Sequence, residues 1–150
     1  MAHTGRFSPL NPHKYDGDPT NIIFRSGWER KFMIMLDTNS AIIEWASEEL
    51  KIPYRSPLDK RRHFYYPDFL FTAQQKDGST GIYLVEIKPW KQTLPPTRKT
   101  KDGKKRSGKK FIREVSTYAV NEAKFNAAQA LCKKNGWQWQ ILTEKNINFI

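Results

Sequence analysis

Two runs of β-type residues dominate the middle of the chain, His63 to Thr72 (HFYYPDFLFT) and Gly81 to Lys88 (GIYLVEIK). Both are rich in the aromatic and β-branched residues that favour strands. The stretch between them, Ala73 to Thr80, is polar and carries Asp77-Gly78 as its turn. The pair therefore predicts an antiparallel hairpin. Upstream, Phe24 to Leu36 places Trp28, Phe32, Met35 and Leu36 at helical spacing and predicts a helix with one core-facing stripe. Ile42 to Ser47 and Ile52 to Arg55 are short strand-like runs joined by a turn around Glu48 to Leu50, and Pro53 suits an edge or a strand start. Downstream, Val115 to Asn135 predicts a second helix, with Tyr118, Phe125, Ala128, Leu131 and Cys132 on its buried side and Asn135-Gly136 as its C-cap. Trp137 to Thr143 predicts a last strand. It follows a helical crossover, so it should run parallel to its sheet neighbour.

Other stretches lack such periodicity. Met1 to Asn21 is polar, with Pro9, Pro12 and Pro19, and reads as an extended arm packed through Phe7, Leu10 and Tyr15. Leu94 to Lys110 opens on Pro95-Pro96 and is interrupted by Gly103, Ser107 and Gly108, which predicts an irregular loop. Glu144 to Ile150 ends on apolar residues expected to pack on the fold. The predicted class is α/β with a mixed sheet, in one domain over 1–150. Residues 1–23 form the arm and 94–113 a flexible basic insertion.

Composition adds a partner. The formal charge is +11, which points to an acidic partner, nucleic acid before membrane surface. No apolar run reaches membrane-spanning length and no basic amphipathic helix presents a bulky apolar face. The start of the chain also lacks a signal peptide's apolar segment. A single cysteine, Cys132, excludes an internal disulfide and suits a reducing cytoplasm. One Cys and three scattered His argue against zinc. The charge is uneven: from Arg98 to Arg113 there are nine basic residues and one acidic one. Arg98, Lys99, Lys101, Lys104, Lys105, Arg106, Lys109 and Lys110 are read as a clamp gripping phosphates without regard to sequence. Lys60, Arg61 and Arg62 bring further charge to the start of the hairpin.

The hairpin also carries a candidate chemistry. Side chains alternate along a strand, so Glu86 and Lys88 share one face while Val85 and Ile87 point into a core. Asp68 lies on the partner strand, where it can meet Glu86. Two carboxylates suit Mg²⁺, which keeps several waters of its own. A hard cation there neutralises a phosphodiester and lowers the pKa of an attacking water. The Ile87 carbonyl is a third candidate oxygen ligand, and Lys88 is placed to orient the water and stabilise developing charge. Mn²⁺ is expected to substitute.

Pro67-Asp68 followed by Glu86-Ile87-Lys88 resembles the PD-(D/E)xK nuclease superfamily. The order helix, three or four strands, helix, strand over Phe24 to Thr143 resembles its restriction-endonuclease-like αβββαβ core. Arg25-Ser26-x-x-Glu29, then Pro-Asp, then Glu-Ile-Lys-Pro looks like the TnsA-like branch, in which a helix-borne glutamate joins the metal site. That resemblance implies a metal role for Glu29; the residues alone equally allow Ser26-x-x-Glu29 to be a capping box. It implies a polar residue from the second helix, Lys124 or Asn121, near the site. Arg25 is a candidate phosphate contact. The size, the arm and the lysine-rich insertion look most like head-completion nucleases of T-even-type tailed phages. This implies a Mg²⁺-dependent endodeoxyribonuclease acting on double-stranded DNA at the packaged end before tail joining. It also implies portal or neck proteins as partners and a place in the host cytoplasm or on the virion. Two other readings stay open: a structural DNA-end or portal-binding protein on a nuclease fold, and a junction-resolving nuclease, which would need a dimer.

Overall fold

The computed structural model describes residues 4–98, 103 and 107–146. Lys99, Lys101, Lys104, Lys105 and Arg106 of the expected clamp lie outside the described residues, as do positions 147–150 with the apolar Ile147, Phe149 and Ile150. The chain begins with strands β1 (Gly5–Phe7) and β2 (Ile22–Phe24), which pair antiparallel. Helix α1 (Gly27–Thr38) and strand β3 (Ile42–Ser47) follow. Strands β4 (Ile52–Arg55) and β5 (Arg62–Tyr65) form a separate antiparallel pair. Then come β6 (Phe69–Gln74), β7 (Thr80–Ile87), the long helix α2 (Gly108–Asn135) and β8 (Gln138–Leu142).

The main sheet has the order β3-β6-β7-β8. Its first two pairings are antiparallel and β7–β8 is parallel, as the crossover through α2 requires. With α1 before it and α2 before β8, this is the expected αβββαβ order, and the β4–β5 pair is an insertion into it. Helix α1 covers one face through Phe32, Met33 and Leu36, packed with Trp45, Phe69, Phe71, Val85 and Ile87. Helix α2 covers the other through Ala128 and Cys132, packed with Leu84, Ile52 and Tyr65.

Several boundaries differ from the expected ones for local reasons. Helix α1 starts at Gly27 because the Ser26 hydroxyl accepts the Glu29 N–H at 3.1 Å, and Phe24 belongs to β2 instead. Helix α2 starts at Gly108, capped by Ser107, so Lys109, Lys110 and Arg113 stand on its first turns and not on a loop. Its end matches expectation: Gly136 adopts φ 71°, the left-handed cap conformation. The expected strand His63–Thr72 is broken at 66–68, where Pro67 has no N–H to continue a ladder. The arm is not simply extended. Phe7 and Tyr15 are buried, but Leu10 is 80% exposed. The buried Asp37 carboxylate holds the arm by accepting the N–H groups of Leu10 and Asn11 at 2.7 and 2.9 Å. Trp90 lies in a short 3-10 turn, 40% exposed, with the Lys145 ammonium over its ring.

Candidate active site

Strand β6 begins with Phe69 opposite Val85, so Asp68, just before it, faces Glu86. Strand β7 pins the acid of its partner strand: Asp68 Oδ2 accepts the Ile87 N–H at 2.8 Å. Val85 and Ile87 are buried against α1, which leaves Glu86 and Lys88 on the α2 face, as the alternation predicts. Only the backbone of Ile87 can reach the site. Both acids are held above the usual carboxylate range. Asp68 is pushed up to about 8, first by burial and then by the negative charge of Glu86. Burial raises Glu86 too, against the opposing pull of the Tyr65 hydrogen bond and the positive charge of Lys88.

Tyr65 was not among the candidates. The end of β5 brings its buried ring under α2, 6.0 Å from the Phe125 ring, and its hydroxyl donates to Glu86 Oε1 at 2.5 Å. One carboxylate oxygen of Glu86 is thereby fixed and the side chain held in one rotamer. Burial, followed by the charge of Glu86, keeps this phenol protonated as a donor. Nothing local marks Tyr65, since the contact depends on how the β4–β5 pair folds over the sheet. The Lys88 backbone N–H donates to Leu142 O at 2.9 Å, tying the end of β7 to β8, and its ammonium lies 5.6 Å from the Phe125 ring centroid. Lys124 reaches the same place from α2: its ammonium is 5.7 Å from the Tyr65 ring, and its charge acts on Glu86.

Glu29 sits at the first turn of α1. Its Oε2 accepts the Arg25 N–H at 2.7 Å, a cap reaching one residue beyond Ser26. Its charge is felt at Asp68. Among the described residues, however, no group of three or more His, Cys, Asp or Glu closes into a metal-holding cluster. Glu29 is occupied with its cap, and Asp68 and Glu86 meet as a pair. A second residue not anticipated, Glu48, adds charge here. Its N–H donates to Asp68 O at 3.1 Å, and its carboxylate takes the Arg25 guanidinium side-on.

The basic residues are divided. Lys60, Arg61 and Arg62 are exposed on the β4–β5 turn and β5, and the Arg62 guanidinium lies over the Phe64 ring. Arg98, Lys109, Lys110 and Arg113 are exposed at or near the start of α2. Between the two groups runs a groove of about 350 Å³, with Leu58 on one wall and Arg113, Thr117, Asn121 and Lys124 of α2 on the other. Lys124, whose charge acts on Glu86, is in its lining, and so is Asn121.

The donor set suits a hard divalent cation: two partly buried carboxylates with raised pKa values, each fixed by a neighbouring N–H or O–H, and no thiol or imidazole among them. Two protein carboxylates are what Mg²⁺ ordinarily takes, the remaining positions being filled by water and substrate oxygens.

Comparison with known proteins identifies the family. Residues 39–144 match the family of TnsA-like endonucleases, in the N-terminal part that carries that name. This span includes Asp68, Glu86 and Lys88 but not Glu29. The chain is also 40% identical over 150 residues to the head completion nuclease of Enterobacteria phage T4, covering 98% of this chain and 95% of that relative. Among the described residues no helix is long and apolar enough to cross a membrane. The strand-end acid pair, the adjoining lysine and a family match spanning most of the sheet all lead to one conclusion: this chain is a nuclease and belongs to the TnsA-like endonuclease family.

Proposed function

We propose that the protein is a Mg²⁺-dependent endodeoxyribonuclease that cuts double-stranded DNA during phage head completion, trimming the packaged end before the tail is joined. One observation carries the reading: Asp68 and Glu86, facing each other across β6 and β7, share the α2 face with Lys88, and Lys124, whose charge acts on Glu86, lines a groove together with Arg113. The head-completion role is supported by the near full-length relative named for it.

Asp68, Glu86 and the Ile87 carbonyl are the groups that would hold the cation. When bound, it supplies charge for the scissile phosphate and a more acidic water. The residues of this chain do the rest. Tyr65 holds Glu86 in its ligating rotamer, and the Ile87 N–H does the same for Asp68. Lys88 keeps its ammonium beside the attacking water and the phosphate oxygens, countering the charge that grows as the bond breaks. Glu29 acts one layer out, holding the Arg25 backbone at the start of α1. Arg113, Lys124, Lys109, Lys110 and the β4–β5 basic residues bind the sugar-phosphate backbone without reading bases. Mn²⁺ replaces Mg²⁺ in this scheme. Portal or neck proteins are the partners that would bring the DNA end to the site.

The test is nicking of supercoiled plasmid by wild type and Lys88→Ala with Mg²⁺, Mn²⁺ or EDTA. Metal-dependent nicking by wild type, with a loss of about a thousandfold or more in the mutant, is expected. DNA binding by both without cutting by either would leave a structural end-binding protein in place of an enzyme.

A further inference from the structure

We infer that Glu48 is a positioning residue that aims Arg25 at a DNA phosphate next to the Asp68–Glu86 pair. The inference rests on the nuclease reading and adds to it a residue outside the acid–lysine motif. Glu48 follows β3 directly and has φ 54°. This is the left-handed region, which a residue bearing a Cβ enters only where its surroundings demand it. Here two contacts make that demand. Its N–H donates to the Asp68 carbonyl at 3.1 Å. Its two carboxylate oxygens take Arg25 Nε and Nη2, each at 3.1 Å. One backbone conformation thus ties Glu48 to the proposed ligand Asp68 and turns its side chain onto Arg25.

The side-on grip occupies one edge of the guanidinium, and among the described residues Nη1 has no hydrogen-bond partner and can donate. The Arg25 side chain is 60% exposed. Its backbone is held separately by Glu29 Oε2, and its charge senses Asp68. A guanidinium fixed in this way beside the acid pair suits a phosphate oxygen of the bound strand, since Arg presents planar paired donors. It also offsets a local excess of Glu29, Glu48, Asp68 and Glu86, which on their own repel DNA. An ordinary surface ion pair between flexible chains needs neither the left-handed backbone nor the bond to Asp68.

The two roles differ in sign. If Glu48 acts only through its charge, removing it should tighten DNA binding, because a negative group is lost. If it positions Arg25, removing it should loosen binding. The experiment is steady-state cleavage of a short duplex by wild type, Arg25→Ala, Glu48→Ala, Glu48→Gln and the Arg25→Ala/Glu48→Ala double variant, with Tm and Mg²⁺ titration for each. Arg25→Ala should raise KM about tenfold or more, and Glu48→Ala roughly two- to fivefold. Glu48→Gln, which keeps one acceptor oxygen, should recover part of that loss. In the Arg25→Ala background, Glu48→Ala should add nothing. Each KM is read at a Mg²⁺ concentration that saturates that variant, because the charges of Glu48 and Arg25 are both felt at Asp68. A loss as large without Arg25 as with it, or tighter DNA binding, would overturn the inference. If wild type cuts no DNA, the nuclease reading fails separately and DNA binding takes over as the readout. Arg25→Ala should then lower the salt slope by about one. Glu48→Ala should weaken binding only while Arg25 is present, and equal weakening in both backgrounds overturns the inference.

Discussion

Against α1 the sheet presents Trp45, Phe69, Phe71, Val85 and Ile87, with ring centroids of Phe32, Phe69 and Trp45 spaced 4.9 to 6.5 Å apart. Against α2 the same strands present Leu84, then Glu86 and Lys88, and the apolar cover thins to Tyr65 and Phe125. Strand β7 serves both faces with alternate residues. The first face is dry, and nearly every side chain there is a packing element. The second is dry only as far as Leu84, after which polar groups are partly buried and held by specific bonds. Burial on the α1 side stabilises the strand ends firmly enough that two carboxylates can be kept close together on the other side. The packed face tolerates no volume change, whereas the open one tolerates loss of a polar atom in folding but not in chemistry.

The contrast is broken most sharply by exchanging damage between the faces. Phe69→Ala should cost about 3–5 kcal/mol of stability by urea unfolding, because it opens a cavity between α1 and the sheet. Lys88→Ala should leave the urea midpoint nearly unchanged while it abolishes nicking. A stable Phe69→Ala protein, or an unfolded Lys88→Ala one, would erase the distinction. Next in size is Tyr65→Phe, which keeps the ring against Phe125 and removes only the hydroxyl on Glu86. Metal-site supports of this kind typically matter about tenfold or more. The Mg²⁺ concentration for half-maximal nicking should rise by that factor, with Tm close to wild type. If the Mg²⁺ dependence is unchanged, Tyr65 is packing alone.

The smallest effect is a slope. The native state holds the Asp68 proton up to about 8, whereas the ordinary value is 3.8. Between those values the unfolded chain has lost a proton that the folded chain retains. Stability without metal should therefore fall as pH rises through that window and level off above it. A divalent cation binds the deprotonated pair, so the rise in Tm on adding Mg²⁺ should be larger at pH 8 than at pH 6. Calorimetric scans at the two pH values check both. A metal-induced rise that is equal at both, or larger at pH 6, would show that Asp68 has already lost its proton at pH 6 in the free protein.

Some of this was open to reading from the chain alone, because the forces involved are local. A two-residue period places Glu86 and Lys88 opposite Val85 and Ile87, whatever else the fold does. Ser26 and Gly136 mark helix ends through bonds and φ values a few residues long. The parallel direction of β8 follows from the crossover through α2. The facing of Asp68 and Glu86 was legible because a hairpin turn sets the register of both strands. What tertiary structure alone decided depends on segments distant in sequence. Tyr65 reaches Glu86 only because β5 leaves the hairpin at Pro67 to pair with β4 under α2. Glu48 meets Arg25 and Asp68 only because β3 ends beside the starts of α1 and β6. Glu29 turned to the Arg25 backbone, an outcome that a motif shared by caps and acid sites could not determine. Periodicity and capping have energies that a short sequence already contains. The positioning of one polar atom against another 20 residues away depends on packing that no short segment can specify.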